Sequence, residues 1–236
     1  MWTLITGSTS PLGKAIALKL AQEGYALVLH YHNNKQQAQD LSKACLKYGV
    51  KVEIMEGDFS SSQSLQQFID TFISQFSNLD ILVNNVGHYL SSSMLETPIQ
   101  TYRILFDKNF FTPIALSLAF KELLAQSKGH IINLGVSGIN ELRVFQSAPI
   151  YALTKHALLH ATKSLAREMA PHHIKVNMLS PGQLDYSEDL AHFLDKLPMK
   201  KPITCEEITQ ALYFLVKNKR SSITGQNIEV AGGFSL

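Results

Sequence analysis

The chain is short of cysteine, has a single tryptophan and contains no long apolar run. Its two cysteines, Cys45 and Cys205, stand far apart and lack metal-ligand spacing. A disulfide framework and a zinc knuckle are therefore excluded, and two free thiols are expected. No stretch reaches the ~18 apolar residues of a membrane span, and the first residues show neither the basic region nor the cleavage site of a secretory signal. A soluble, cytoplasmic protein with no membrane partner is expected. The 21 Lys+Arg and 19 Asp+Glu nearly cancel, leaving a net charge of +2. The short basic runs Lys200–Lys201 and Lys217–Arg220 make no stripe, so no nucleic-acid partner is expected. His156 and His160 lie one helical turn apart, but the Glu that a zinc helix places after the first His is missing; no metal site follows.

What the chain does have is 236 residues, 45% hydrophobic and 17% charged, with no linker dividing them. Residues 1–236 are expected to form one large α/β domain. Short aliphatic or β-branched runs at Trp2–Thr6, Tyr25–Tyr31, Val50–Met55, Leu79–Asn84, His130–Gly135, Ile174–Leu179 and Asn227–Val230 read as strands. Most are apolar enough to be buried on both faces. Longer amphipathic patterns at Leu12–Glu23, Lys35–Tyr48, Ser62–Phe76, Ile99–Gln126, Ile150–Ala170 and Glu206–Lys217 lie between them. This alternation predicts right-handed crossovers and a Rossmann-type, doubly wound parallel sheet of about seven strands with helices on both faces.

Two local patterns carry chemistry. Tyr151 and Lys155 stand four apart in a helical pattern, so one face presents a phenol beside an ammonium; a nearby cation favours the phenolate and makes the phenol a usable acid. The segment Thr6-Gly7-Ser8-Thr9-Ser10-Pro11-Leu12-Gly13 joins the first strand to the first helix. Small residues there let backbone approach a pyrophosphate at the helix's positive end. Ser10 as N-cap and Pro11 as first helical residue also suit a plain capped helix start.

The loop, the Tyr-x-x-x-Lys pair, Asn84-Asn85-Val86-Gly87, Asp58 in Gly-Asp-Phe-Ser, Asn109, Pro181-Gly182 and Ile223-Thr224-Gly225-Gln226 occur in an order and spacing that resembles the short-chain dehydrogenase/reductase family over nearly the whole chain. The resemblance implies a single NAD(P)-binding Rossmann domain in which Tyr151 donates a proton to a substrate oxygen or nitrogen while a nicotinamide delivers hydride to the adjacent carbon. Lys155 is implied to bind the nicotinamide ribose and to lower the tyrosine pKa, and Asn109 to hold a water linking that lysine to solvent. The cofactor set so implied is Gly7, Ser8, Ser10, Leu12, Gly13, Asp58, Phe59, Asn85, Gly87, Tyr151, Lys155, Pro181, Gly182 and Leu184. The end of the second strand lacks the acid that NAD users commonly place there and offers His32, Asn33 and Lys35 instead, which favours NADPH over NADH. A homo-oligomer is implied, dimer or tetramer, pairing Ile99–Gln126 and Ile150–Ala170 across a two-fold axis.

Three departures bear on that reading. Pro11 occupies the loop's usual middle glycine and removes a backbone donor, which shifts pyrophosphate contacts onto neighbouring amides and the hydroxyls of Ser8 or Ser10. Tyr186 stands near the usual threonine. Val136 takes the position of the family's catalytic serine, with Ser137 next to it. A small backbone shift brings the Ser137 hydroxyl inward, whereas strict strand alternation points it away. Leu29-His30-Tyr31-His32 resembles the pteridine reductases, which carry an Asp at the serine position; 3-oxoacyl-[acyl-carrier-protein] reductases and broader carbonyl reductases are the competing likenesses. A small-molecule carbonyl or imine is the expected substrate, and an NADPH-binding sensor without turnover is the alternative. A substrate lid is expected in Gln183–Lys201, with Phe193, Leu194 and Leu197 over the substrate and His88, Tyr89 and Met94 opposite.

Overall fold

The computed structural model describes residues 1–188 and 190–234. Seven strands, β1 (Trp2–Ile5), β2 (Ala26–Tyr31), β3 (Val52–Glu56), β4 (Ile81–Asn84), β5 (His130–Leu134), β6 (Lys175–Pro181) and β7 (Asn227–Val230), form one parallel sheet. Their order is β3-β2-β1-β4-β5-β6-β7. The chain winds outward from β1 in one direction and from β4 in the other, so the carboxyl ends of these two neighbours flank a crevice that no crossover covers. The strands lie within two residues of the apolar runs that predict them. β4, β5 and β6 are buried along their full length, as strands covered on both faces must be.

Helices α1 (Pro11–Gln22), α2 (Lys35–Leu46) and a late helix at Cys205–Val216 cover one face; Ile16, Leu20, Leu41, Leu212 and Leu215 pack there on Ile5, Leu27, Val83 and Ile132. On the other face α3 (Ser62–Gln75) and the helices after β4 and β5 set Phe68, Phe72, Leu116, Phe120 and Leu165 against Leu4, Val28, Leu82 and Ile131. Among the described residues no helix is long and apolar enough to cross a membrane.

The expected helix Ile99–Gln126 is not continuous. It divides into α4 (Ile99–Phe106), a π-helical turn at Asp107–Phe111, α5 (Thr112–Ala119) and α6 (Lys121–Ser127). Pro113 has no N–H to give to the carbonyl four residues back, that of Asn109, and its ring crowds that carbonyl. The backbone widens there by one residue, with the Thr112 N–H reaching Asp107. At the other end Phe120 (φ −93°, ψ 9°) leaves helical geometry. After β5 the chain continues as α7 (Pro149–Met169), and the segment after β6 carries the short α8 (Leu190–Phe193) and then α9 (Cys205–Val216).

His30, in the middle of the β2 run, ties three segments together. Its Nδ1 accepts from the Gly7 amide at 2.9 Å and its Nε2 donates to the Gly57 carbonyl at 3.1 Å. The ring stacks on Phe59, centroids 4.2 Å apart. Burial pushes its pKa down to about 4. Between the ordinary value of 6.5 and about 4 the unfolded chain takes up a proton that the folded chain refuses, so folding stability falls as pH drops through that window. His130, also buried and lowered to about 4, adds to the same slope. His30→Phe keeps the stack but strands the Gly7 amide; denaturant melts should show a loss of about 1–3 kcal/mol at pH 7 and a shallower fall from pH 6.5 to 4. An unchanged acid slope would contradict this role.

Candidate active site

A cleft of about 370 Å³ opens at the carboxyl ends of β1, β4, β5 and β6. It runs from Ser10, Pro11 and Leu12 at the start of α1, past Asn85, Gly87, His88 and Tyr89 after β4 and Leu134–Val136 at the end of β5, to Tyr151 and Lys155 on α7. Pro181–Leu184 and Tyr186–Glu188 form the remaining wall.

Lys155 is buried, and its Nζ donates to the Leu134 carbonyl at 2.8 Å. The ammonium also lies 5.5 Å from the centre of the Tyr151 ring. Burial pulls the Lys155 ammonium down to about 8 and pushes the Tyr151 phenol up to about 12. Desolvation of the phenol thus outweighs the lowering expected from its neighbour. The cation sits beside the ring and bonds a carbonyl, and desolvation of the phenol dominates. Tyr89 meets the Tyr151 ring edge-on, centroids 5.1 Å apart.

Asn109 is fully buried in the π turn. Its Oδ1 accepts from the His88 amide at 2.7 Å, and its Nδ2 donates to the His88 carbonyl at 2.9 Å and to the Thr154 hydroxyl at 3.1 Å. The side chain thus fastens the loop after Gly87 to α7, and Pro113 leaves the Asn109 main-chain carbonyl without its usual helical donor. A Cβ on Gly87 would lie 3.2 Å from Asn109 Oδ1 and 3.7 Å from Lys155 Nζ. The absence of a side chain there keeps the cleft open to the lysine.

The phosphate loop is built by a similar economy. Gly7 holds φ +60°, and a Cβ on Gly13 would come within 2.5 Å of the Gly7 carbonyl, so loop and helix touch through backbone. Asn85 Nδ2 binds the carbonyls of Thr6 and Gly7 and the Ser10 hydroxyl. Ser10 caps α1 by accepting from the Gly13 amide. Ser8 does not serve as expected: it is fully buried and its hydroxyl donates to the His30 carbonyl at 3.0 Å, because the tight turn aims it into the sheet. That leaves the Ser10 hydroxyl and the Leu12 backbone at the cleft. Beyond β2, His32 approaches Asp58 at 3.4 Å, both half-exposed, and Lys35 opens α2 behind its cap, Asn34. Asn33 and Lys35 are exposed beside them. Phe59 is turned inward onto His30. These residues fit a dinucleotide: the positive end of α1 and Ser10 for a pyrophosphate, the open floor at Gly87 and the ammonium of Lys155 for a nicotinamide ribose, and cationic or donor groups beyond β2 for a ribose phosphate.

Val136 lines the cleft and Ser137 does not. Ser137 is buried, with its amide on the Pro181 carbonyl at 2.9 Å; this continuation of the β5–β6 ladder keeps strand alternation and turns the residue away from Tyr151. On the lid segment Gln183, Leu184, Tyr186, Ser187 and Glu188 reach the cleft, whereas Phe193, Leu194 and Leu197 do not, nor does Met94. Phe193 packs edge-on against Phe234, and Leu197 is buried. Asp189, within the same expected lid, lies outside the described residues. Burial also raises the Tyr186 phenol, which meets the Cys205 thiol and the Leu12 backbone. Sequence reasoning missed His30 and the Leu134 carbonyl. A polar residue at the centre of an apolar strand was the signal for the first; nothing in the sequence marks the second.

The chain matches the family described as enoyl-(acyl carrier protein) reductase over residues 7–235. It is 30% identical to the 3-oxoacyl-[acyl-carrier-protein] reductase FabG of Staphylococcus aureus (strain N315), across 99% of this chain and 97% of that protein. Among solved structures it resembles the acetoin dehydrogenase YohF from Salmonella typhimurium (29% identity, 98% and 96% of the two chains, TM-score 0.88). It also resembles YwfH, an NADPH dependent reductase involved in bacilysin biosynthesis (26% identity, 100% and 98%, TM-score 0.90). With Tyr151 and Lys155 at one cleft of a seven-stranded parallel sheet, the chain belongs to the short-chain dehydrogenase/reductase family of NAD(P)H-dependent oxidoreductases.

Proposed function

We propose that this protein is an NADPH-dependent reductase of a small carbonyl or imine, with the whole chain serving as one dinucleotide-binding unit. The observation that carries the reading is Tyr151 and Lys155 facing the cleft that begins at the amino end of α1. The reduced nicotinamide, when bound, supplies the hydride. Tyr151 then gives its proton to the substrate oxygen or nitrogen as negative charge develops there. Lys155, held by the Leu134 carbonyl, keeps one fixed positive charge beside the ring, so the phenolate left behind is opposed by a cation that need not move. Asn109 fixes the backbone of His88, which lines the same cleft.

Val136 offers no hydrogen bond, and Ser137 stands off the cleft, so orientation of the substrate rests on Tyr151 and on the shape of the wall. The names of the relatives, a 3-oxoacyl reductase and an acetoin dehydrogenase, support a ketone over a pteridine. For the cofactor, the missing acid after β2 and the cluster of His32, Asn33 and Lys35 support NADPH, as does the description of YwfH as NADPH dependent. Exposed apolar side chains on α4 to α5 (Ile104, Phe111, Leu118) and on α7 (Leu153) support a dimer or tetramer closed across these helices.

Four outcomes follow. Tyr151→Phe should remove turnover on a panel of ketones, 3-oxoacyl thioesters and pterins, while Ser137→Ala stays within about twofold of wild type; a hydrogen bond lost from the transition state would instead cost about 5- to 150-fold. Wild-type reduction should hold level at acid and neutral pH and fall as pH rises through about 8, where Lys155 loses its charge; a rate that climbs through that range would refute the role of the ammonium. Fluorescence titration should show NADPH binding more tightly than NADH, with the preference reduced in His32→Ala and Lys35→Ala; equal affinity for the two cofactors counts against the assignment. Light scattering should report an oligomer that Leu118→Glu or Leu153→Glu weakens, whereas a wild-type monomer would exclude the assembly.

A further inference from the structure

The segment between β5 and α7 forms one wall of the cleft and delivers the chain to Tyr151, yet residues 140–144 are exposed. Its first turn is fastened from a distant place in the sequence. Glu229, in the middle of β7, accepts at a single oxygen, Oε1, from the Gly138 amide at 3.0 Å and from Asn140 Nδ2 at 2.9 Å. Asn140 Oδ1 in turn accepts from Asn227 Nδ2 at 3.0 Å, and Asn227 Oδ1 accepts from the buried Ser180 hydroxyl at 2.6 Å. Gly138 holds φ +84°, so the chain turns sharply at the residue that Glu229 grips. Between the two gripped residues Ile139 is buried against Leu158, Leu159 and Met178, one turn of α7 beyond Lys155.

We propose that Glu229 is a positioning residue for the reductase reaction: its carboxylate clamps the β5–α7 segment to the last strand and thereby sets the cleft wall at Gly135 and Val136 relative to Tyr151 and Lys155. The mechanical link is short. Lys155 donates its hydrogen bond to the Leu134 carbonyl, four residues before the clamp, and bonds to a carboxylate oxygen are well suited to hold such a turn. Because both donors converge on one oxygen, a neutral acceptor in that place is enough and the negative charge is not required. Glu229 touches neither substrate nor cofactor in this arrangement; it acts through Gly138 and Asn140.

The inference rests on the reductase reading, and two readouts separate the failure of one from the failure of the other. Wild type, Glu229→Ala and Glu229→Gln are compared by amide hydrogen exchange over residues 136–148 and by steady-state reduction, at a temperature where circular dichroism shows each variant folded. Glu229→Ala should exchange faster over that segment and lose about tenfold or more in kcat, the scale on which misplaced reacting groups cost rate, with NADPH affinity within about twofold. Glu229→Gln, which retains the acceptor, should restore both protection and kcat. Unchanged exchange in Glu229→Ala, faster exchange with unchanged kcat, or equal impairment of the Gln and Ala variants would each overturn the proposal. If the wild type turns over no substrate, the reductase reading fails, while the exchange comparison still decides whether the clamp exists.

Discussion

The site depends on a cation held where water is scarce. A buried ammonium is costly unless fixed dipoles replace its lost hydration, and Lys155 has the Leu134 carbonyl for that purpose. An ammonium carries three donors, so the bond to Leu134 leaves others for the cleft that Lys155 lines. This one contact ties the end of β5 to α7, and everything chemical is measured from it. The Tyr151 ring lies beside the same charge, and Gly87 is without a side chain where a Cβ would approach the amine. Burial lowers the ammonium to about 8, close to losing its charge in the alkaline range, and raises the phenol to about 12.

Around this centre the structure spends polar groups on holding backbone. Asn109 clips both the amide and the carbonyl of His88, Asn85 gathers two loop carbonyls, and His30 joins the glycine loop to the end of β3. Each is largely removed from solvent or faces the fold, where an unmet donor or acceptor would be expensive. The result is a cleft whose wall near the Gly7–Gly13 loop is fixed by hydrogen bonds and whose stretch at Val136, Tyr89 and Tyr186 is mainly apolar and aromatic.

Much of this was legible in the sequence. The strands declared themselves because buried parallel strands are continuous aliphatic runs, and the helices because their apolar stripes repeat with the helical period. The Tyr151–Lys155 pair and the loop at Gly7–Gly13 were legible as local spacing. The break after Phe106 had a visible cause in Pro113, but the amphipathic pattern on either side concealed it. Other features were out of reach because they join residues distant in sequence: His30 with Gly7 and Gly57, and Glu229 with Gly138. The burial of the Ser8 hydroxyl against the His30 carbonyl depends on strand pairing, which the one-dimensional pattern does not contain.

The central claim is that this cleft transfers hydride while Tyr151 transfers a proton. The most direct measurement supplies NADPH carrying deuterium at the transferable position of the nicotinamide, incubates it with the enzyme and a ketone that it reduces, and locates the label in the product by mass spectrometry. The account predicts one deuterium on the former carbonyl carbon of the alcohol and none on its oxygen, where the proton comes from Tyr151 and exchanges with water. Cofactor oxidation without label in the product, or label retained wholly on the cofactor while alcohol forms, would contradict it.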